Sequence, residues 1–179
     1  MAISITNFVH QATEKKLSIL HKPYNPATVK LLAKTMRELE RIGGSLYHCE
    51  QQLDKGLTLE LLGRCSVVVW DQPGTGFLEC LSSKIPTMVL WPRIFNQEEN
   101  WVKPLFLELE KKGIIHRDAK TLVEEIHLFK LSPTVWMLDV ERVSLVDRFC
   151  EKFASTDEKW PVHWRRYFDG LSKPNIKGD

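Results

Sequence analysis

The chain has 179 residues, 25 Lys and Arg against 23 Asp and Glu, a formal net charge of +2 and 43% hydrophobic residues, enough apolar side chain for one buried core. Charges of both signs are interspersed, so there is no basic stripe of the kind nucleic-acid binding needs. No apolar run approaches the roughly 20 residues that cross a bilayer, and the amino terminus lacks an unbroken apolar signal-peptide core, so the expected setting is cytoplasmic.

In chain order, residues 1–16 form a lead-in left open between a helix and an irregular segment. Leu17 to Leu20 is a short strand candidate, and the prolines of His21-Lys22-Pro23-Tyr24-Asn25-Pro26 stop any helix there. Asn25 is a helix cap with Pro26 at the first helical position, and Val29, Leu32, Met36 and Leu39 form one apolar stripe that ends at Gly43-Gly44. Ser45 to His48 is a second short strand, and Thr58 caps a brief helix over 59–63.

Ser66 to Trp70 is a β-branched and aromatic run, the pattern of a strand covered on both faces. Asp71 to Gly74 is a polar turn, and Phe77, Leu78 and Leu81 then recur at helical spacing, which places Thr75 and Gly76 at a helix N-terminus. The first backbone N–H groups of a helix have no internal partner and carry partial positive charge, so an anion such as a phosphate fits there. Gly74 and Gly76 would let a ligand approach the backbone, the Thr75 hydroxyl would cap the helix or donate to a phosphate, and Glu79 stands one turn along to accept from a ribose. Ordinary helix capping accounts for the same glycines and threonine.

Pro86 to Trp91 is another buried strand, and the alternation of strands with helices is that of βαβ units, an α/β domain with helices flanking a parallel sheet. Ligands bind such sheets at the carboxyl ends of the strands, a rule that collects His21, Lys22, His48, Asp71, Gly74, Thr75, Arg93 and Asn96 on one edge. Further on, Gln97 to Lys112 is helical with Pro104 marking a kink or restart, Gly113 stops it, and Ile114-Ile115 is a strand candidate. Asp118 caps a helix through Phe129. Ser132-Pro133 opens a longer one, with Trp136, Val140, Val143, Val146, Cys150 and Phe153 as a continuous stripe of core or interface. The tail gathers Trp160, Trp164, Tyr167 and Phe168 around Arg165 and Arg166. Such density favours packing back on the domain, with a partner subunit or peripheral membrane contact as alternatives, and disorder is expected from Ser172 on. The cysteines at 49, 65, 80 and 150 form no CxxC pair and the histidines no HExxH, so no metal is expected.

The order His21-Lys22-Pro23, Cys65 to Asp71, Pro73-Gly74-Thr75-Gly76 with Leu78-Glu79, and Ile85-Pro86-Thr87 resembles the carboxyl-terminal half of GT-B glycosyltransferases, closest to transferases of bacterial surface-polysaccharide (O-antigen and capsule) clusters. Leu109 to Ile115 and the Trp136 helix followed by Trp160 and Trp164 look like the closing segments of that family, so the resemblance spans residues 17–168. It implies a Rossmann-like donor-binding domain over 17–156 and an aromatic helix with a disordered tail over 157–179. The implied ligand is a nucleotide sugar, held as substrate with no resident cofactor. Gly74, Thr75 and Gly76 would meet its diphosphate, Glu79 its ribose, and Lys22 with His21, aided by Arg93, would neutralise the leaving group, with Asp71 a further substrate-binding candidate.

GT-B enzymes have two such domains, and the acceptor half is missing here, which implies a fragment, a truncated product or one subunit of a split enzyme with an acceptor-domain partner. Two other readings compete. A sugar-nucleotide epimerase-like enzyme would share the glycine turn, and a non-catalytic assembly module would use the aromatic tail and the 136–153 stripe to dock a partner.

Overall fold

A computed structural model describes residues 2–51, 56–92, 98–155 and 159–171. Among these residues, five short parallel strands lie in two small ladders flanked by helices. In the first, β1 (Ile19–His21) pairs with β2 (Tyr47–Cys49), Ile19 opposite Tyr47 and His21 opposite Cys49. In the second, β4 (Thr87–Leu90) is central between β3 (Val68–Trp70) and β5 (Ile115–His116), with Trp70 opposite Val89 and Leu90 opposite His116.

β4 shows why this is a layered α/β domain. All four of its residues are buried, as a strand covered on both faces requires. Its side chains alternate between two cores. Met88 and Leu90 join Ala12, Leu17, Leu122, Ile126, Phe129 and Trp136 on one side, whereas Val89 and Trp91 join Phe77, Leu109, Ile115, Leu145 and Phe149 on the other. Ile19 of β1 and Val69 of β3 pack on the first of these clusters, so the two ladders share a core although no strand pairing joins them.

Helix α1 (Ala2–Glu14) occupies the lead-in and packs on α3 (Ala33–Gly43) and α7 (Ala119–Leu131), with Val9 and Ala12 buried. Asn25 caps α2 (Pro26–Leu31) by accepting from the Thr28 N–H at 2.8 Å, and Thr58 caps α4 (Leu59–Gly63) by accepting from the Leu61 N–H at 3.2 Å. The stripe expected to run unbroken from Val29 to Leu39 is interrupted at Leu32, which leaves helical geometry between α2 and α3. Helix α5 (Thr75–Ser82) follows β3, and α6 (Lys103–Lys111) begins at Lys103 with Pro104 in its first turn, so the proline marks a start. Gly113 stops α6 with φ +69, a conformation that favours glycine.

The long helix expected after Ser132-Pro133 is two helices, α8 (Pro133–Met137) and α9 (Val140–Phe153). Asp139 caps the second by accepting from the Arg142 N–H at 2.7 Å. The break rotates the buried face of α9: Leu145 and Phe149 are buried while Val140 is exposed, so the stripe expected from Trp136 through Val140 is not one surface. Finally, α10 (Trp160–Leu171) leaves Trp164, Tyr167 and Phe168 exposed, against the expectation that they pack back on the domain. No helix among the described residues is long and apolar enough to cross a membrane.

Candidate functional site at the carboxyl ends of the strands

Strand direction sets what meets at this edge. His21 is the last residue of β1 with Lys22 following it, and Asp71 follows the last residue of β3. Gly74 is the N-cap of α5, Thr75 and Gly76 are its first two residues, and Glu79 lies one turn further. Asp71, Thr75 and Glu79 are exposed, and His21, Lys22, Gly74 and Gly76 are half-buried. Arg93, expected to share the charge neutralisation, lies outside the described residues, as do Asn96 and the tail from Ser172.

The N-terminus of α5 is open. Gly74 is extended there (φ −91, ψ −167), no side chain caps the first turn, and no acidic residue stands in it. The Gly74 N–H donates to the Gln72 carbonyl at 2.9 Å, and the Leu78 N–H donates to the Gly74 carbonyl at 3.2 Å, which closes the first helical bond. The Thr75 hydroxyl does not cap the helix. The first N–H groups therefore keep their capacity to donate to an anion.

The two glycines differ in what they do. A Cβ built on Gly74 meets nothing within 4 Å, and its φ is one that any residue adopts, so neither packing nor conformation requires glycine there. A Cβ on Gly76 would sit 2.2 Å from the Trp70 ring. Glycine at 76 makes room for that indole, which packs along α5 with its N–H toward the sulfur of buried Cys80. Sulfur is a weak acceptor, and the Trp70 Nε1 has no nitrogen or oxygen partner.

His21 is held at this edge by Tyr47. The Tyr47 hydroxyl, diagonal to His21 across the β1–β2 ladder, shares a hydrogen bond with His21 Nδ1. Burial pushes the Tyr47 hydroxyl well above the usual tyrosine range, helped by the neighbouring Cys49 and Glu40 charges, so it keeps its proton. Burial also holds His21 below the ordinary histidine value, against the raising effect of the Asp71 carboxylate. A neutral imidazole has one donor and one acceptor ring nitrogen, and one of the two is engaged by Tyr47. Asp71 and His21 are thus electrically coupled across the ends of β3 and β1. Lys22 stands near enough to Cys49 for its charge to oppose the burial that raises that thiol.

Two residues at this edge escape sequence reasoning. Tyr47 opens β2 opposite Ile19 and reads as an ordinary strand aromatic; only the fold brings its hydroxyl to His21. Arg117 follows the last residue of β5; it donates to the Trp91 carbonyl at 3.1 Å and to Glu110 at 2.9 Å, pairs with Glu98, and lies 5.1 Å over the Trp91 ring. Two carboxylates occupy its charge, so it anchors the strand ends and offers little to an incoming anion. Neither of two cavities among the described residues is lined by the α5 N-terminus, although the second reaches Arg117 and Asp118 at the end of β5. One is between α5, α8 and α9, lined by Leu81, Trp136 and Arg142, and the other is beside β5 and α7, lined by His116 and Glu125.

Comparison with known proteins adds one match: residues 7–168 fit the family model described as LIC12162 family transferase. No curated protein and no solved structure matches the chain.

Proposed function

The chain belongs to the LIC12162 transferase family, and on that premise we propose that its carboxyl-edge site binds the diphosphate of a nucleotide-sugar donor for glycosyl transfer in surface-polysaccharide synthesis. The observation that carries the reading is the N-terminus of α5, uncapped and free of acidic residues, with open space over Gly74. Backbone N–H groups aimed at a diphosphate favour the charge that grows on it as the glycosyl bond breaks. Lys22 supplies a cation and His21 a ring nitrogen from the end of β1, and Glu79 receives the ribose. The setting proposed is the cytoplasm, and the reaction is GT-B-like, with an acceptor-binding domain as partner. This chain alone then binds donor without turning it over. The family description favours transfer over epimerisation.

Calorimetric titration with UDP, GDP, CDP and CMP, repeated on Thr75→Val and Glu79→Ala, tests this. Binding of one nucleotide, weakened in both variants, is expected. No binding by any of the four would favour the assembly-module reading, which the exposed aromatics of α10 support.

A further inference from the structure

Helix α10 has no role in the donor site, and its surface is unlike that of the other helices. Trp164, Tyr167 and Phe168 follow the i, i+3, i+4 spacing of one helix face and are 53%, 59% and 55% exposed. They pack on one another. Trp164 stacks on Phe168 at 5.4 Å between ring centroids, and Tyr167 meets Phe168 edge-on at 5.7 Å. The result is a continuous aromatic row along one side of the helix, presented outward.

The charges beside the row select what covers it. From 159 to 169 the basic residues are Lys159, Arg165 and Arg166, with His163 between them, and Asp169 is the single acid. Arg165 and Arg166 are exposed and make no ion pair among the described residues. A second copy of the helix would bring like charges together, whereas an anionic surface complements them. Trp and Tyr carry an apolar ring with a polar tip, suited to the boundary between headgroups and acyl chains, and arginine keeps its head at the phosphates while its stem lies along apolar surface.

We propose that α10 is an interfacial anchor that lays Trp164, Tyr167 and Phe168 into the surface of an anionic lipid bilayer, with Arg165 beside the row at the lipid phosphates and Arg166 on the water side adding charge attraction to the surface. This is independent of the donor-site reading. It keeps the chain at a membrane without a spanning segment.

Flotation of the full chain with phosphatidylcholine vesicles, with and without phosphatidylglycerol, tests the anchor. Binding is expected only to the anionic vesicles, falling as salt is raised. Trp164→Ser with Phe168→Ser should abolish it. Arg165→Glu with Arg166→Glu should weaken it by ~30-fold or more, from about a fivefold contribution per cation near an anionic surface. All four positions are exposed, so an unchanged thermal melt confirms that the fold is retained. Three results would each overturn the anchor: absence of binding to anionic vesicles at low salt, binding undiminished in the aromatic variant, or self-association of the chain that the aromatic variant removes.

Discussion

At the scale of single residues, Gly74 and Gly76 carry the sharpest contrast. They stand two apart in one turn, and the sequence offers the same reading for both: room for a ligand. Gly76 has a steric reason of its own, since any Cβ there strikes the Trp70 ring, whereas Gly74 has none. Gly76→Ala should therefore destabilise the chain by about 1–3 kcal/mol through overpacking, after a gain of up to ~1 kcal/mol in helix propensity. Gly74→Ser should do the reverse. A serine Oγ supplies the missing cap and adds a few tenths of a kcal/mol, while occupying the N–H groups proposed to hold the diphosphate. Thermal melts combined with nucleotide titration check the pair: a lower Tm for Gly76→Ala, and for Gly74→Ser an unchanged or higher Tm with about tenfold weaker binding. Gly74→Ser with full nucleotide affinity would remove the α5 N-terminus from the site. The lowered value of His21 was equally hidden in the sequence, because it comes from burial in the fold, opposed by Asp71, 50 residues away.

At the scale of elements, caps were legible and interruptions were not. Asn25, Thr58 and Asp118 each accept from the N–H three residues on, the short-range chemistry that a sequence displays. The break between α8 and α9 depends instead on long-range partners of Arg142. Its guanidinium donates to the Lys112 carbonyl at 2.9 Å, the Trp136 carbonyl at 2.6 Å and Glu125 at 3.3 Å, and stacks 4.0 Å from the Trp136 ring, whose own N–H donates to Glu125 at 2.6 Å. One side chain thus ties α9 to α8, to α7 and to the end of α6. It collects carbonyls that end helices and so stabilises the break that periodicity alone smooths over. Because Arg142 and Glu125 are largely buried, Arg142→Ala leaves a carboxylate and two carbonyls short of donors and should cost about 2–4 kcal/mol. Arg142→Lys should recover less than half of that, since an ammonium cannot fork to these acceptors while stacking on the indole. Urea unfolding of the three proteins measures both steps, and a lysine variant as stable as the parent would show that charge alone, not the fork, is what α9 requires.

At the scale of the whole molecule, the α/β class and the parallel pairing were legible because buried strands such as β4 read as apolar runs between helical periods. The division into two ladders was not, since pairing between β1 and β3 is a matter of where backbones approach. The two ladders carry the two histidines that make stability depend on pH. His21 ends β1, and His116 ends β5, where it is buried with its Nε2 donating to the Gly113 carbonyl at 3.0 Å. Burial holds both below the ordinary histidine value; the hydrogen bond to Gly113 and nearby carboxylates oppose it at His116, as Asp71 does at His21. A lowered folded-state value means that the unfolded chain takes up these protons first. The associated stability is fully present above about pH 6.5, falls as pH drops below it, and stops falling once the folded protein is protonated too. Each histidine contributes a slope of at most about 1.4 kcal/mol per pH unit within that window. Urea unfolding between pH 7.5 and 5.5 should show this decline, above the range where carboxylates titrate. His116→Asn should flatten it, because asparagine keeps a donor toward Gly113 without a titrating group. If stability proved level from pH 7.5 to 5.5, neither histidine would be held neutral by the fold.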